Sequence, residues 1–482
     1  MGPVASPPPD ELLPPAAVAC TAAPEALEQR YHEAYQRLAA HGQLQVLRGW
    51  DALEPAGRSR LLADLESIDL DAVARAWSAA GAHGSAEEVS PVREVVDLPS
   101  ARDPQARAEG ERALRDGRVA ALLVAGGQGT RLGYDGPKGA YPLGPVSGRS
   151  LFAMHAERLV ALGRRFGPTP PLYVMTSPDN DAATRTLFAA HDSFGLPADR
   201  VRIFAQGVLP ALDGEGRLLL AAPDRLVLAA NGNGGLFAAM EQQGVFAHMR
   251  QLGSDVISYF HVDNALAASC DPRFIGHHLL AESEFSCKSI RRSNPGEAVG
   301  CFASRGGRLC IVEYTEIPRR LANARDDAGE LVFSHGNPGL FVWSRGFAER
   351  QAARRDFPVH RAHKRIAHVD STGRPVSPTA PNGYKLETFA LDALPTAARA
   401  IVVLCARAQE FAPLKQATGV DSPQSARALL CALHRGWIER AGGVVAAQAR
   451  VEIGPLYALD AAELASRLPR GFRAETDTYL GA

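Results

Sequence analysis

With 482 residues, 46% of them hydrophobic and 22% charged, and 52 Lys plus Arg set against 53 Asp plus Glu, the chain exceeds one ordinary domain and lacks the basic surplus that captures nucleic acid. No apolar run is long enough to span a bilayer, and the seven cysteines (Cys20, Cys270, Cys287, Cys301, Cys310, Cys405 and Cys431) are scattered without a CxxC pair. They argue against a disulfide framework or a zinc centre, so the expectation is a soluble, cytoplasmic protein with reduced thiols and no membrane partner.

The amino terminus carries Asp10 and Glu11 where a secretory signal would be basic and then apolar, and its Pro- and Ala-rich composition predicts a disordered tail over residues 1–25. Helical spacing follows, with Leu44, Leu47, Trp50 and Leu53, then Leu61, Leu62 and Leu65, which predicts an N-terminal helical lobe over residues 26–100. A helix over Gln105–Asp116 should end at Gly117, a residue suited to a left-handed C-cap. Val119–Val124 is a short, continuously apolar run followed by glycines, the pattern of a strand buried on both faces. Ser150 can cap a helix reaching about Arg164. A strand over Leu172–Met175, a helix near Asp181–His191 and a strand over Arg202–Ala205 continue the alternation that implies a parallel α/β sheet. Later strands are expected at Val256–Val262 and Leu309–Tyr314. The catalytic domain is expected over residues 101–395 and a small C-terminal α+β domain over 396–482.

The run Leu123-Val124-Ala125-Gly126-Gly127-Gln128-Gly129-Thr130-Arg131-Leu132-Gly133 leaves the first strand with four glycines, which let backbone N–H groups crowd around a phosphate chain. Arg131 and Lys138 add positive charge beside it. A dinucleotide fingerprint would need glycine where Leu132 stands, and a P-loop needs Gly-Lys-Ser/Thr where the chain has Pro137-Lys138-Gly139. Hydride transfer and P-loop hydrolysis therefore both lose ground.

The spacing Leu-x-x-Gly-Gly-x-Gly-Thr-Arg-Leu-Gly-x-x-x-Pro-Lys resembles the signature of sugar nucleotide pyrophosphorylases. The surrounding blocks narrow the resemblance to the eukaryotic-type UDP-N-acetylhexosamine and UDP-sugar pyrophosphorylase group. Among them are Gln206-Gly207-Val208-Leu209-Pro210-Ala211, Asn231-Gly232-Asn233-Gly234-Gly235-Leu236, Val262-Asp263-Asn264, Pro381-Asn382-Gly383-Tyr384-Lys385-Leu386-Glu387 and Glu410-Phe411-Ala412-Pro413-Leu414-Lys415. The resemblance implies a Rossmann-like, GT-A-like nucleotidyltransferase fold with a mixed α/β sheet. It implies an enzyme joining UTP to a sugar 1-phosphate, N-acetylglucosamine 1-phosphate first among candidates, with release of pyrophosphate. Glucose 1-phosphate or a broad range of sugar phosphates is the alternative substrate, and a non-catalytic nucleotide-sugar binder is the alternative of another class.

By the same resemblance Gly126, Gly127, Gly129, Gln206 and Gly232 should hold the nucleotide, while Arg131, Lys138 and Lys385 act on the phosphates. Asn233, Glu313, Asn337 and Lys385 should hold the sugar phosphate, and Asp263 a Mg²⁺ ion. A monomer or homodimer is expected. The chain departs from the group's pattern at Ala230-Asn231, usually Pro-Asp, and at Gly336-Asn337-Pro338-Gly339-Leu340-Phe341, which bears on sugar choice. Only five lysines, Lys138, Lys288, Lys364, Lys385 and Lys415, survive among the 52 basic residues; such a bias toward arginine suggests that the remaining lysines are required.

Overall fold

The structure, a computed structural model, describes residues 24–79, 89–98, 100, 102–314 and 316–481. The expected disordered tail lies outside the described residues, except that Pro24 and Glu25 open the first helix. Two compact units emerge. The first gathers the described residues up to Ser78 with Pro210–Leu228 and Ala362–Lys385, and the second gathers Ala79–Leu209, Ala229–Arg361 and Leu386–Ala482.

In the first unit, helices α1 (Pro24–Ala40), α2 (Pro55–Glu66) and α3 (Leu70–Ala79) realise most of the predicted helical spacing. Leu61, Leu62 and Leu65 are all buried. The stretch from Leu44 to Leu53 forms two short 3₁₀ turns, Leu44–Leu47 and Trp50–Ala52, in place of a continuous helix. Gln43, just before this stretch, is tied to a later segment: its Oε1 accepts from Leu218 N at 2.8 Å and its Nε2 donates to Gly216 O at 3.0 Å. Asp64, nearly buried, likewise accepts from Arg225 Nε at 2.8 Å and Leu226 N at 2.9 Å. Tyr384 pairs with Leu212 on a short antiparallel ladder, and Lys385 follows it.

The second unit carries the sheet. Helix α4 (Asp103–Arg115) ends before Gly117, whose φ of +70° is the left-handed cap expected of it. Strand β1 (Val119–Val124) is followed by α5 (Leu151–Phe166), where Ser150 Oγ accepts from Ala153 N at 3.2 Å. Next come β2 (Leu172–Thr176), α6 (Asp181–Ala190), β3 (Val201–Ala205) and β4 (Val256–His261). Helix α7 (Pro272–Leu280), β5 (Phe285–Arg291), β6 (Cys301–Arg305), β7 (Arg308–Val312), β8 (Phe341–Ser344), β9 (Ala400–Leu404) and α8 (Arg407–Glu410) complete the frame.

Strands β4, β1, β2 and β3 lie side by side and parallel. Strand β8 enters antiparallel between β4 and β5, which makes the sheet mixed. Strand β9 runs parallel to β5, and the short strands Val89–Pro91 and Val95–Asp97 add to β6 and β9. Successive residues of β1 are buried on opposite faces, Leu123 with Phe152, Val174 and Phe260 and Leu122 with Tyr173, Tyr259 and Trp343. A strand covered twice has no polar side, hence its unbroken apolar sequence. No helix among the described residues is long and apolar enough to cross a membrane.

Candidate active site

Where β1 ends, Ala125 N still donates to Met175 O at 2.8 Å, and then the chain leaves the sheet. Gly126 presses against its support: a Cβ there would stand 3.3 Å from both Gln206 Nε2 and Ser177 N. Gln206 follows β3 and is itself buried, with its N–H donating to Thr176 O at 2.9 Å. Beneath the loop, Asn180 Nδ2 donates to Ala125 O at 2.8 Å and Gly127 O at 3.3 Å. The second half of the loop closes as a hairpin, with Gly129 N donating to Gly136 O at 2.9 Å and Lys138 N to Gly127 O at 3.0 Å. The backbone N–H groups of Gly126, Gly127 and Gln128 have no partner among the described residues. Free amides held on a braced turn are what a nucleotide's acceptors require.

Strand β4 delivers the second half of the site. Its pairing sets His261 beside Val124, and Val262 N donates to Val124 O at 3.0 Å, so Asp263 arrives next to the glycine loop. There Lys138 Nζ donates to Asp263 Oδ2 at 3.1 Å and to Leu414 O at 3.2 Å. The turn after β4 is stitched to a late segment. Leu414 N donates to Asp263 O at 2.9 Å, Asn264 Nδ2 to Glu410 O at 2.7 Å, and Ala412 N to Asn264 Oδ1 at 2.9 Å.

Three of the predicted sugar-side residues are linked through one wall. Gly232 has φ +82° and lies against the Thr388 carbonyl, where a Cβ would overlap it. The neighbouring Asn233 Oδ1 accepts from Ala390 N at 2.9 Å, and its Nδ2 donates to Tyr259 OH at 3.4 Å. Tyr259 OH in turn meets His261 Nε2 at 3.0 Å. Burial holds the His261 ring below the ordinary histidine range, against the opposing pull of the Asp263 charge. Gly339 sits on that ring, its N–H donates to Asn337 Oδ1 at 2.9 Å, and Asn337 N donates to Gly300 O at 2.9 Å. Glu313 Oε1 stands 3.2 Å from where a Gly300 Cβ would lie. Glu313 is exposed at this rim, and desolvation, then the neighbouring Glu316 charge, push its carboxyl upward.

Gly126, Gly127, Gln206, Lys138 and Asp263 are thus brought together, and Gly129 shapes the same hairpin. Arg131 lies in the one-turn 3₁₀ segment Thr130–Leu132, exposed and without hydrogen bond or ion pair among the described residues. Lys385 belongs to the first unit, next to Tyr384. Sequence reasoning assigned no role to Asn180, Tyr259, His261 or Thr388. The alternating polar heads of Tyr259 and His261 within an apolar strand were the one available signal. Lys288 is 1% exposed and paired with Asp271 and Glu410, so it lies in the interior and away from the glycine loop.

Among the described residues no group of three or more His, Cys, Asp or Glu side chains could hold a metal by itself. A lone, part-buried carboxylate, Asp263, does fit an ion that takes its remaining ligands from phosphate oxygens and water, as Mg²⁺ does. A cavity of about 400 Å³ lined by Arg158, Glu410, Trp437 and Glu452 includes neither the glycine loop, Lys138 nor Asp263.

Fold and site together define a nucleotide-binding α/β protein of the nucleotidyltransferase class. The chain belongs to the UTP–glucose-1-phosphate uridylyltransferase (UDPGP) family, whose model matches residues 81–465. It is 34% identical over 449 residues to UDP-N-acetylglucosamine diphosphorylase 2 of Arabidopsis thaliana, covering 88% of this chain and 87% of that one. Identity is 36% over 432 residues to the human UDP-N-acetylhexosamine pyrophosphorylase-like protein 1, with 84% and 85% covered. The crystal structure of the uridine diphosphate N-acetylglucosamine pyrophosphorylase from Trypanosoma brucei superposes with a TM-score of 0.77 at 28% identity, covering 93% of this chain and 98% of that one.

Proposed function

We propose that this protein is a UTP:sugar-1-phosphate uridylyltransferase that forms a UDP-sugar and pyrophosphate, with N-acetylglucosamine 1-phosphate as the favoured acceptor. The observation that carries the reading is the Lys138–Asp263 pair at the mouth of a glycine loop whose Gly126, Gly127 and Gln128 amides have no partner among the described residues, in a chain of this family. A sugar phosphate oxygen attacks the α-phosphorus of UTP, the bond from that phosphorus to the bridging oxygen breaks, and pyrophosphate leaves in line with the attack. No covalent enzyme intermediate is required.

The free N–H groups of Gly126 and Gly127, with Gln206 behind them, would meet uridine and the first phosphate. Lys138 would turn from Asp263 to the phosphates, where a compact ammonium on a flexible stem can follow charge as it moves to the leaving group. Arg131, with no partner to give up among the described residues, suits the outer phosphates. Asp263 would hold Mg²⁺ together with phosphate oxygens, which supplies charge neutralisation at the reacting centre. Asn233, Asn337 and Glu313 would meet the sugar, and Lys385 its phosphate.

The acetamido-sugar assignment is supported by relatives named for N-acetylglucosamine and N-acetylhexosamine. Glucose 1-phosphate is the second reading, favoured by the description of the family model and by the departures around Asn337. Purified protein with UTP, Mg²⁺ and a panel of sugar 1-phosphates decides between them by pyrophosphate release. Faster turnover of glucose 1-phosphate overturns the first choice of sugar, and no release with any sugar leaves a nucleotide-sugar binder.

A further inference from the structure

Lys288 stands in the middle of β5 with 1% of its surface exposed. Its Nζ donates to Asp271 Oδ2 at 2.9 Å and to Glu410 Oε1 at 2.5 Å. Asp271 is the N-cap of α7, its other oxygen accepting from Arg273 N at 3.0 Å, and Glu410 closes α8. Against the upward push of burial, the Lys288 ammonium holds the Asp271 carboxyl down at about 2, whereas burial leaves Glu410 raised. The cluster carries one positive and two negative groups in the interior. Glu410 Oε2 has no hydrogen-bond partner among the described residues.

Stability alone accounts poorly for such a cluster. Buried ion pairs repay their desolvation only with full hydrogen bonding, and apolar side chains of similar size commonly serve as well. What the cluster does fix is the place of Glu410, and Glu410 is the first point at which the late segment grips the turn after β4. Its carbonyl accepts from Asn264 Nδ2 at 2.7 Å. Asn264 Oδ1 accepts from Ala412 N at 2.9 Å, Ala265 N donates to Ala412 O at 3.1 Å, and Leu414 N donates to Asp263 O at 2.9 Å. A shift of Glu410 would therefore be passed directly to Asp263, and through the Leu414 carbonyl to Lys138.

We infer that Lys288, through Glu410, is a positioning residue for the Asp263–Asn264 turn, so that the buried Lys288–Asp271–Glu410 cluster sets the geometry in which Asp263 and Lys138 meet the phosphates. This rests on the function proposed above. Groups that orient a metal-binding carboxylate from behind typically change affinity or activity by about 10- to 100-fold when removed.

The test uses the full chain and three variants. For Lys288→Met, the Mg²⁺ concentration giving half-maximal rate should rise about tenfold and kcat fall about tenfold, while KM for UTP, set by the separately braced loop at Gly126, stays within about twofold. Glu410→Ala should behave likewise. Glu410→Gln, which keeps an acceptor for Lys288 Nζ, should return toward the parent. Hydrogen exchange without substrate or metal gives a readout apart from activity: the amides of Ala265, Ala412 and Leu414 should exchange faster in Lys288→Met and Glu410→Ala, with that of Ala125 unchanged. Folded variants with parental Mg²⁺ curves and parental exchange at these amides overturn the inference. If Lys288→Met does not fold, the Glu410→Ala and Glu410→Gln pair decides, and equal behaviour of the two overturns it. A parent that releases no pyrophosphate defeats the proposed function, while the exchange measurement still judges the cluster.

Discussion

Lys138 and Asp263, 125 positions apart in the chain, meet at 3.1 Å with side chains only 17% and 25% exposed. Each neutralises the other at the place where the glycine loop offers its amides. In the proposed reaction a triphosphate entering there would supply a competing anion for the lysine and bring the cation that an unpaired aspartate would attract. On that proposal the pair is a resting arrangement that the substrate would exchange for two productive ones.

Replacing Lys138 removes the ammonium that would follow the phosphates. Lys138→Ala should lower turnover at saturating UTP by about 10²- to 10³-fold, the usual cost of one preorganised electrostatic partner. Steady-state assays of pyrophosphate release measure it, and turnover near the parental value removes Lys138 from the chemistry.

Asp263→Asn keeps the shape of the turn, because the main-chain bond from Leu414 N to Asp263 O survives, yet it removes the charge. The Mg²⁺ requirement should rise by about tenfold or more with the fold intact. A metal titration superimposable on the parent's assigns the ion elsewhere.

Gly232 combines a φ of +82° with a Cβ position that overlaps the Thr388 carbonyl. Gly232→Ala must therefore bear left-handed strain and displace backbone, at a cost of roughly 1–3 kcal/mol for each effect. Thermal unfolding should show a clearly lowered midpoint, and KM for UTP should rise. A midpoint equal to the parent's shows that the loop can move away from Thr388 freely.

Four buried rings, His155, His278, His335 and His434, have their pKa values lowered by burial from 6.5 to about 4. Each is neutral in the fold and takes up a proton on unfolding at lower pH. Between about 4 and 6.5 the unfolded chain binds more protons, so the stabilisation is complete above this window and is lost as pH falls through it. Each ring contributes on the order of 1–3 kcal/mol. The unfolding midpoint should drop from pH 7 to pH 5; a flat or rising midpoint over that interval contradicts the assignment.

Much of the second unit was readable before any coordinates. The apolar run Val119–Val124, the cap at Ser150 and the turn at Gly117 each follow from local chemistry, and each is found where expected. Local chemistry could not disclose that β8 would insert antiparallel between β4 and β5, because register is decided by partners far away in the chain. The three-residue strands Val89–Pro91 and Val95–Asp97 are too short to carry a period. The glycine loop with Arg131 and Lys138 was legible because its residues are consecutive. Asn180, which braces that loop, gave no such sign, since one residue within another element's sequence reads as an ordinary cap, and Tyr259, which joins Asn233 to His261, showed only its alternation with His261. Lys288 illustrates the reverse: the scarcity of lysine singled it out, but its burial between two carboxylates could not be read from its sequence neighbours.

The stitching of Asp263 and Asn264 to Glu410, Ala412 and Leu414 has a consequence for the order in which the molecule becomes competent. During synthesis the glycine hairpin and the aspartate turn emerge long before residue 410, and until that late stretch docks, neither the carbonyl that receives Lys138 nor the amides that pin the turn are present. A ribosome-bound or prematurely released chain stopping short of it would own both Lys138 and Asp263 and still lack the carbonyl and amides that hold them in place.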